Sequence, residues 1–287
     1  MTKIKKSEKF LTLVEKHQEK KKVETFHGTL EDYLKLLEKD SSITQLAHKR
    51  LYEAITGYGI TRMSQGSPRC NKLFNGEELK TYDYFQSRFF GMERSLAKIM
   101  RFLRSASLKG EESRQVLLLL GPVGAGKSAL MEHVKAALEG CDSMYHIEGC
   151  PIHEEPLHLI PRSLREQFQS IYGLRIEGDL CPVCRFRLKE EYDNDYTSMP
   201  IAQSSFSVRG RRGVGVVPPM DANSQDVTML IGSEDISKLD LYAEDDPRVL
   251  SLNGAFNVGN RGIVEFVEVF KNCLLYTSDA ADDLLCV

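Results

Sequence analysis

Apolar positions recur at helical spacing in several stretches of the chain. From Thr29 the positions Leu30, Tyr33, Leu34 and Leu37 fall on one face. Thr29 with Asp32 three residues on reads as a capping box opening that helix. Leu46, Ala47, Leu51 and Ala54 mark a second helix over residues 43–55, which Gly57 and Gly59 end. Leu96, Ile99, Met100 and Leu103 give a third. Glu111 and Glu112 form a polar break after it. Residues 116–120, Val-Leu-Leu-Leu-Leu, are short, aliphatic and flanked by turn residues. That is the signature of a buried parallel strand. Residues 128–138 read as a helix and residues 144–147 as the next strand, so strand, loop, helix and strand predict a βαβ unit.

Between these elements the chain changes character. Residues 5–22 are dense in Lys and Glu and read as a solvated helix or arm. Gly66, Ser67, Pro68, Asn71, Asn75 and Gly76 make residues 61–80 a linker or loop. The expected division is therefore 1–80, an N-terminal helical segment with linker; 81–272, an α/β core with a parallel sheet flanked by helices; and 273–287, a tail. No internal repeat is present.

Composition narrows the classes. The 287 residues suit one large domain or two small ones at roughly 150 residues each. With 38 Lys+Arg against 41 Asp+Glu the formal net charge is −3, so there is no global basic field and nucleic-acid coating is not expected. The longest aliphatic run is far below the ~20 residues that span a bilayer, so no membrane partner is expected. The basic start lacks an apolar stretch behind it and is no secretory signal. Seven cysteines, an odd number, point to a reducing cytoplasm with structural or metal-bound thiols.

The chemistry concentrates in Gly121-Pro122-Val123-Gly124-Ala125-Gly126-Lys127-Ser128, followed by Ala129. It matches G-x-x-x-x-G-K-[ST] at every fixed position. Glycines let successive N–H groups point inward and, with the following helix N-terminus, cradle phosphates. Lys127 supplies charge for the β- and γ-phosphates, and the Ser128 hydroxyl suits Mg²⁺. The Asn-Lys-x-Asp element of guanine specificity is missing after the loop. Asn71-Lys72 precedes it and continues Leu73-Phe74, so ATP is favoured over GTP.

A P-loop ATPase also needs a carboxylate at the end of another strand. Residues 260–268, Asn-Arg-Gly-Ile-Val-Glu-Phe-Val-Glu, resemble the stretch of ring-forming AAA+ ATPases where a small turn leads into a strand ending Asp-Glu. That register gives Glu268 the catalytic glutamate's place and puts Val267 where the metal-binding aspartate is expected. Either Glu265 or Glu268 then serves twice, or hydrolysis is weak.

Cys150-x-x-His153 and Cys181-x-x-Cys184 are two ligand pairs with structural-zinc spacing. The alternative is that Cys150 is a small buried apolar residue and that Cys181 and Cys184 flank a helix start. His153 and His158 are five apart with Pro156 between them, which excludes a metalloprotease helix; lining a loop is their other role. Arg209, Arg211 and Arg212 make a local basic patch, and Arg248 and Arg261 flank the second strand.

Several blocks together resemble the N-terminal AAA+ portion of PrkA-type serine protein kinases. They are residues 89–93 (Phe-Phe-Gly-Met-Glu), the phosphate loop, residues 149–161 from Gly149 to Pro161, residues 177–182, 224–226, Asp246-Pro247-Arg248 and Asn260-Arg261-Gly262. The resemblance spans roughly residues 25–272 and implies a P-loop NTPase of AAA+ architecture. It also implies ATP and Mg²⁺ as ligands, a serine/threonine kinase activity linked to stress regulation, and a homo-oligomeric ring for the intact protein. The protein substrate is not legible. Family members are longer, and the chain has neither a His-Arg-Asp catalytic loop nor Asp-Phe-Gly, so a fragment is the expected reading. A nucleotide-binding switch without hydrolysis is the alternative. Residues 274–287 leave the family pattern abruptly and resemble translated adapter sequence.

Overall fold

The structure, a computed structural model, describes residues 11, 14, 26–62, 80–141, 143–219, 227–243 and 246–268. In chain order its elements are β1 (His27–Gly28), α1 (Leu30–Lys39), α2 (Ala47–Gly57), β2 (Ile60–Arg62), β3 (Lys80–Tyr82) and α3 (Asp83–Gln86). Next come α4 (Glu93–Ser107), α5 (Lys127–Glu139), β4 (Met144–Ile147), α6 (Arg165–Tyr172), α7 (Pro182–Glu190) and β5 (Ile201–Ser204). The last are β6 (Val214–Val217), α8 (Thr228–Ile231), β7 (Ser233–Glu234), β8 (Leu250–Ser251), α9 (Ala255–Val258) and β9 (Ile263–Phe266). The tail 273–287 and most of the 61–80 linker lie outside the described residues.

These elements sort into two units interleaved along the chain. One comprises Met1–Ile43, Ser143–Ser204 and Glu234–Ser251; the other Thr44–Asp142, Ser205–Ser233 and Leu252–Val287.

In the first unit, the Asp32 carboxylate accepts the Thr29 N–H and hydroxyl at 3.1 Å, which starts α1 where the sequence places it. The helix buries Leu30, Tyr33 and Leu37 against Ile147, Leu159, Phe168, Leu188 and Met199. β5 lies between β1 and β4 and pairs antiparallel with both. Phe26, Tyr33 and Tyr145 cluster at centroid distances of 5.3 and 5.6 Å around Tyr145.

In the second unit, α4 buries Leu96, Ile99, Met100 and Leu103, the face its periodicity predicts. α5 buries Leu130, Val134, Ala137 and Leu138. Tyr84 stacks on His133 of α5 at 4.3 Å, and its hydroxyl donates to the His133 carbonyl. β6 and β9 run parallel, Val214 opposite Ile263 through Val217 opposite Phe266. α9 approaches β6 so closely that a Cβ on Gly215 would lie 2.1 Å from the Ala255 carbonyl oxygen. Only glycine fits there.

Two expectations are corrected. Residues 116–120 are not a strand; Val116 and Leu120 are 89 % and 74 % exposed. An aliphatic run becomes a strand through its neighbours rather than through intrinsic preference, and among the described residues none pairs with it. Residues 144–147 are a strand, as expected, but they pair antiparallel with β5 in the first unit. The predicted βαβ unit is therefore absent among the described residues, and the parallel pairing sits at β6 and β9. No helix among the described residues is long and apolar enough to cross a membrane.

Leu138 is fully buried, so Leu138→Ala should destabilise by about 2–5 kcal/mol. Val116→Ser should stay within about 0.5 kcal/mol. Urea midpoints at constant slope measure both; an equally large loss for Val116→Ser would show that the aliphatic run is packed.

Candidate functional site: the phosphate loop and its surroundings

Gly124 and Gly126 have φ of 82° and 81°, left-handed values that a side chain rarely tolerates. Gly126 caps α5, and Lys127 is the first residue of that helix. Its four leading N–H groups therefore face the loop without intrahelical acceptors. The Lys127 ammonium donates to the Gly121 and Pro122 carbonyls at 2.7 and 2.8 Å, which draws it across the loop. The Ala125 N–H closes a turn on the Pro122 carbonyl at 3.3 Å. Val123 is fully exposed; Ser128 and Ala129 stand exposed in the first turn of α5. A Cβ on Gly126 would meet Met92 Sδ at 3.6 Å, so the N-terminus of α4 adjoins the loop. A separate cavity of about 160 Å³ is lined by Tyr82, Phe85, Gln86, Phe89, Phe90 and Glu93 among others.

The two strand-end carboxylates separate clearly. Glu265, in β9, binds the Lys135 ammonium at 2.8 Å. Both side chains are nearly buried, at 12 % and 4 % exposure. Burial works against the Lys135 charge, but the hydrogen bonds it donates to Glu132 and Glu265 outweigh it and raise its pKa. Lys135 lies eight residues into the helix from Lys127, about 12 Å along its axis. Glu265 is thus held away from the N-terminal end of α5. Glu268 lies beyond the end of β9, exposed, with φ of 52°. The preceding Val267 N–H bonds the Val217 carbonyl at 3.0 Å. Lys135 was missed in the sequence, although a lysine on the stripe Met131, Lys135, Leu138 is the signal of a buried cation seeking a partner.

In the other unit the two cysteine pairs converge. Cys150, Cys181 and Cys184 are buried, and Cys150 Sγ lies 4.0 Å from Cys181 Sγ. Glu154 joins them, 1 % exposed, with all four ligand atoms within 4.8 Å of one another. His153 is outside that group: its backbone has φ of 48° and its ring lies against His146 at 4.8 Å. The contact with Cys181 pushes Cys150 up to about 12, and Cys184 is pushed up as well by its contacts with both. Cys181, in contact with Cys150 and Cys184 and accepting the Cys184 N–H, is drawn down to about 3. His158 Nε2 contacts the Glu177 carbonyl at 2.9 Å. Glu154 was not legible as a member because a carboxylate between two histidines gives no spacing signal.

Two of the arginines have local partners given by the structure. Arg248 pairs with Asp246 at 2.6 Å and covers the Tyr242 ring at 3.9 Å. Arg211 donates to the Asn253 carbonyl at 2.8 Å.

A left-handed glycine turn, a lysine and a helix N-terminus make an anion cradle suited to a polyphosphate. Comparison with known families agrees: the model of the PrkA AAA domain matches residues 28–278. The chain belongs to the PrkA AAA family. An AAA domain is a P-loop NTPase fold, and the resemblance read from the sequence blocks is thereby shown. The chain is similar to the ATP-dependent protease PrkA of Bacillus subtilis (strain 168), 36% identical over 268 residues, 91% of this chain and 40% of that protein. It is also similar to the serine/threonine kinase YeaG of Escherichia coli (strain K12), 32% identical over 250 residues, 85% of this chain and 38% of that protein. The chain thus spans about two fifths of the length of these relatives. No solved structure matches it.

Lys135→Ala leaves Glu265 nearly buried and uncompensated, and should destabilise by about 3–5 kcal/mol. Lys135→Met with Glu265→Leu should recover most of that loss. Thermal and urea unfolding of the single and double variants test this; a near-neutral single variant would show that the pair is not desolvated.

Proposed function

We propose that this PrkA AAA domain binds Mg²⁺-ATP at residues 121–129 and uses it in hydrolysis or phosphoryl transfer. The observation that carries the reading is the cradle itself: Gly124 and Gly126 in left-handed conformation, with Lys127 opening α5. Lys127 would meet the β- and γ-phosphates, and the Ser128 hydroxyl would hold Mg²⁺. Magnesium supplies charge neutralisation on the phosphates. Glu268 is the carboxylate assigned to orient the attacking water. One relative is named an ATP-dependent protease and the other a serine/threonine kinase, so the two names differ on the final chemistry. Kinase activity, a stress role and ring assembly belong to the longer proteins as proposals.

A second reading is favoured by one specific observation. Glu265 is occupied by Lys135 and Val267 is apolar, so Glu268 would have to serve both metal and water. The domain would then act as a nucleotide-dependent switch with slow turnover.

Calorimetry with Mg²⁺-ATP should give a saturable heat, with preference over GTP. Lys127→Ala removes a charged hydrogen-bonding partner worth about 1.5–3 kcal/mol, roughly ten- to hundredfold in affinity. Glu268→Gln should leave affinity unchanged and lower turnover by about a hundredfold or more if the glutamate serves as general base. No heat with the wild type would sink the nucleotide reading. Turnover no faster than that of Lys127→Ala would select the switch.

A further inference from the structure

We propose that Cys150, Cys181, Cys184 and Glu154 hold a structural zinc ion. The proposal does not rest on the nucleotide reading, since all four residues lie in the unit that lacks the phosphate loop.

The donor set is one-sided. Three sulfurs and a carboxylate face one another within 4.8 Å. Glu154 Oε2 accepts the Cys181 N–H at 2.8 Å, but its buried Oε1 has no hydrogen-bond partner. The buried Nδ1 of His158 lacks one too, and it lies 4.0 Å from Glu154 Oε2. Bare lone pairs converge here, and a buried acceptor without a partner costs about 1–3 kcal/mol. A cation at the centre removes that cost. The Cys150 and Cys181 sulfurs, 4.0 Å apart, are far beyond a disulfide length of about 2.05 Å. They are close to the roughly 3.8 Å that two thiolates span on a tetrahedral ion with Zn–S near 2.3 Å.

The surroundings suit a ligated thiolate. The Cys184 N–H points at Cys181 Sγ at 3.3 Å and the Glu154 N–H at Cys150 Sγ at 3.5 Å. Cys181 caps the N-terminus of α7, whose dipole favours negative charge. Three sulfur ligands select zinc over magnesium, calcium or manganese. All four residues are at most 6 % exposed, so no coordination position opens to solvent and the site is structural rather than catalytic. It would tie the turn at Cys150 to the start of α7, 31 residues away in sequence. The fourth ligand is Glu154 in place of His153.

Elemental analysis of the full purified chain should find one zinc per molecule, retained on dialysis. Cobalt substitution should give the visible bands of a tetrahedral ion with thiolate charge transfer. Cys184→Ser and Glu154→Ala should weaken retention against a chelator by more than tenfold; His153→Ala should leave stoichiometry and cobalt spectrum unchanged. A folded wild-type chain without zinc and without a cobalt spectrum overturns the proposal, as does iron in zinc's place. Loss of metal in His153→Ala with retention in Glu154→Ala overturns the ligand set. The wild-type measurements decide the matter even if a cysteine variant fails to fold.

Discussion

A lysine that has given up nearly all of its water needs a carboxylate, and Lys135 finds one in Glu265, 130 residues further along the chain. The desolvation of both charges makes the pairing obligatory rather than ornamental. It joins the middle of the phosphate-loop helix to the strand whose end carries Glu268. The position of α5 relative to β9, and so of the cradle relative to that glutamate, is fixed by a contact that itself touches no nucleotide. The same contact removes Glu265 from the set of groups free to serve a metal.

Much of this was legible from local pattern. The helices at Thr29 and Leu96 and the helix after the phosphate loop follow from apolar spacing and capping, which a short stretch of sequence carries by itself. The phosphate loop is legible for the same reason: Gly124, Gly126 and Lys127 act through their own backbone and one side chain. What failed was partnership. Residues 116–120 have the composition of a central strand, but composition does not supply ladder partners. Residues 144–147 read correctly as a strand while their mate, β5, lies more than fifty residues later and runs the other way. Lys135 and Glu154 were missed because each is defined by what lies opposite it.

Two helix N-termini carry the two proposed sites. At α5 the leading N–H groups face a loop bent by glycine, which leaves room for a large external anion. At α7 the cap is a cysteine and the space is filled by sulfur and carboxylate from the same chain. The same backbone dipole thus favours a diffusible ligand in one unit and internal anionic groups in the other, and the difference lies in side-chain volume at the cap.

The interleaving of the units bears on how the chain is made. It passes between them five times, at residues 43/44, 142/143, 204/205, 233/234 and 251/252. During synthesis from the N-terminus, α5 exists long before β9 does, so a growing chain short of residue 265 carries an ammonium with no counter-charge from the strand. Late closure of such distant contacts slows folding and prolongs exposure of apolar surface. The burial of Lys135 against its strand partner therefore waits until the last strand has been made.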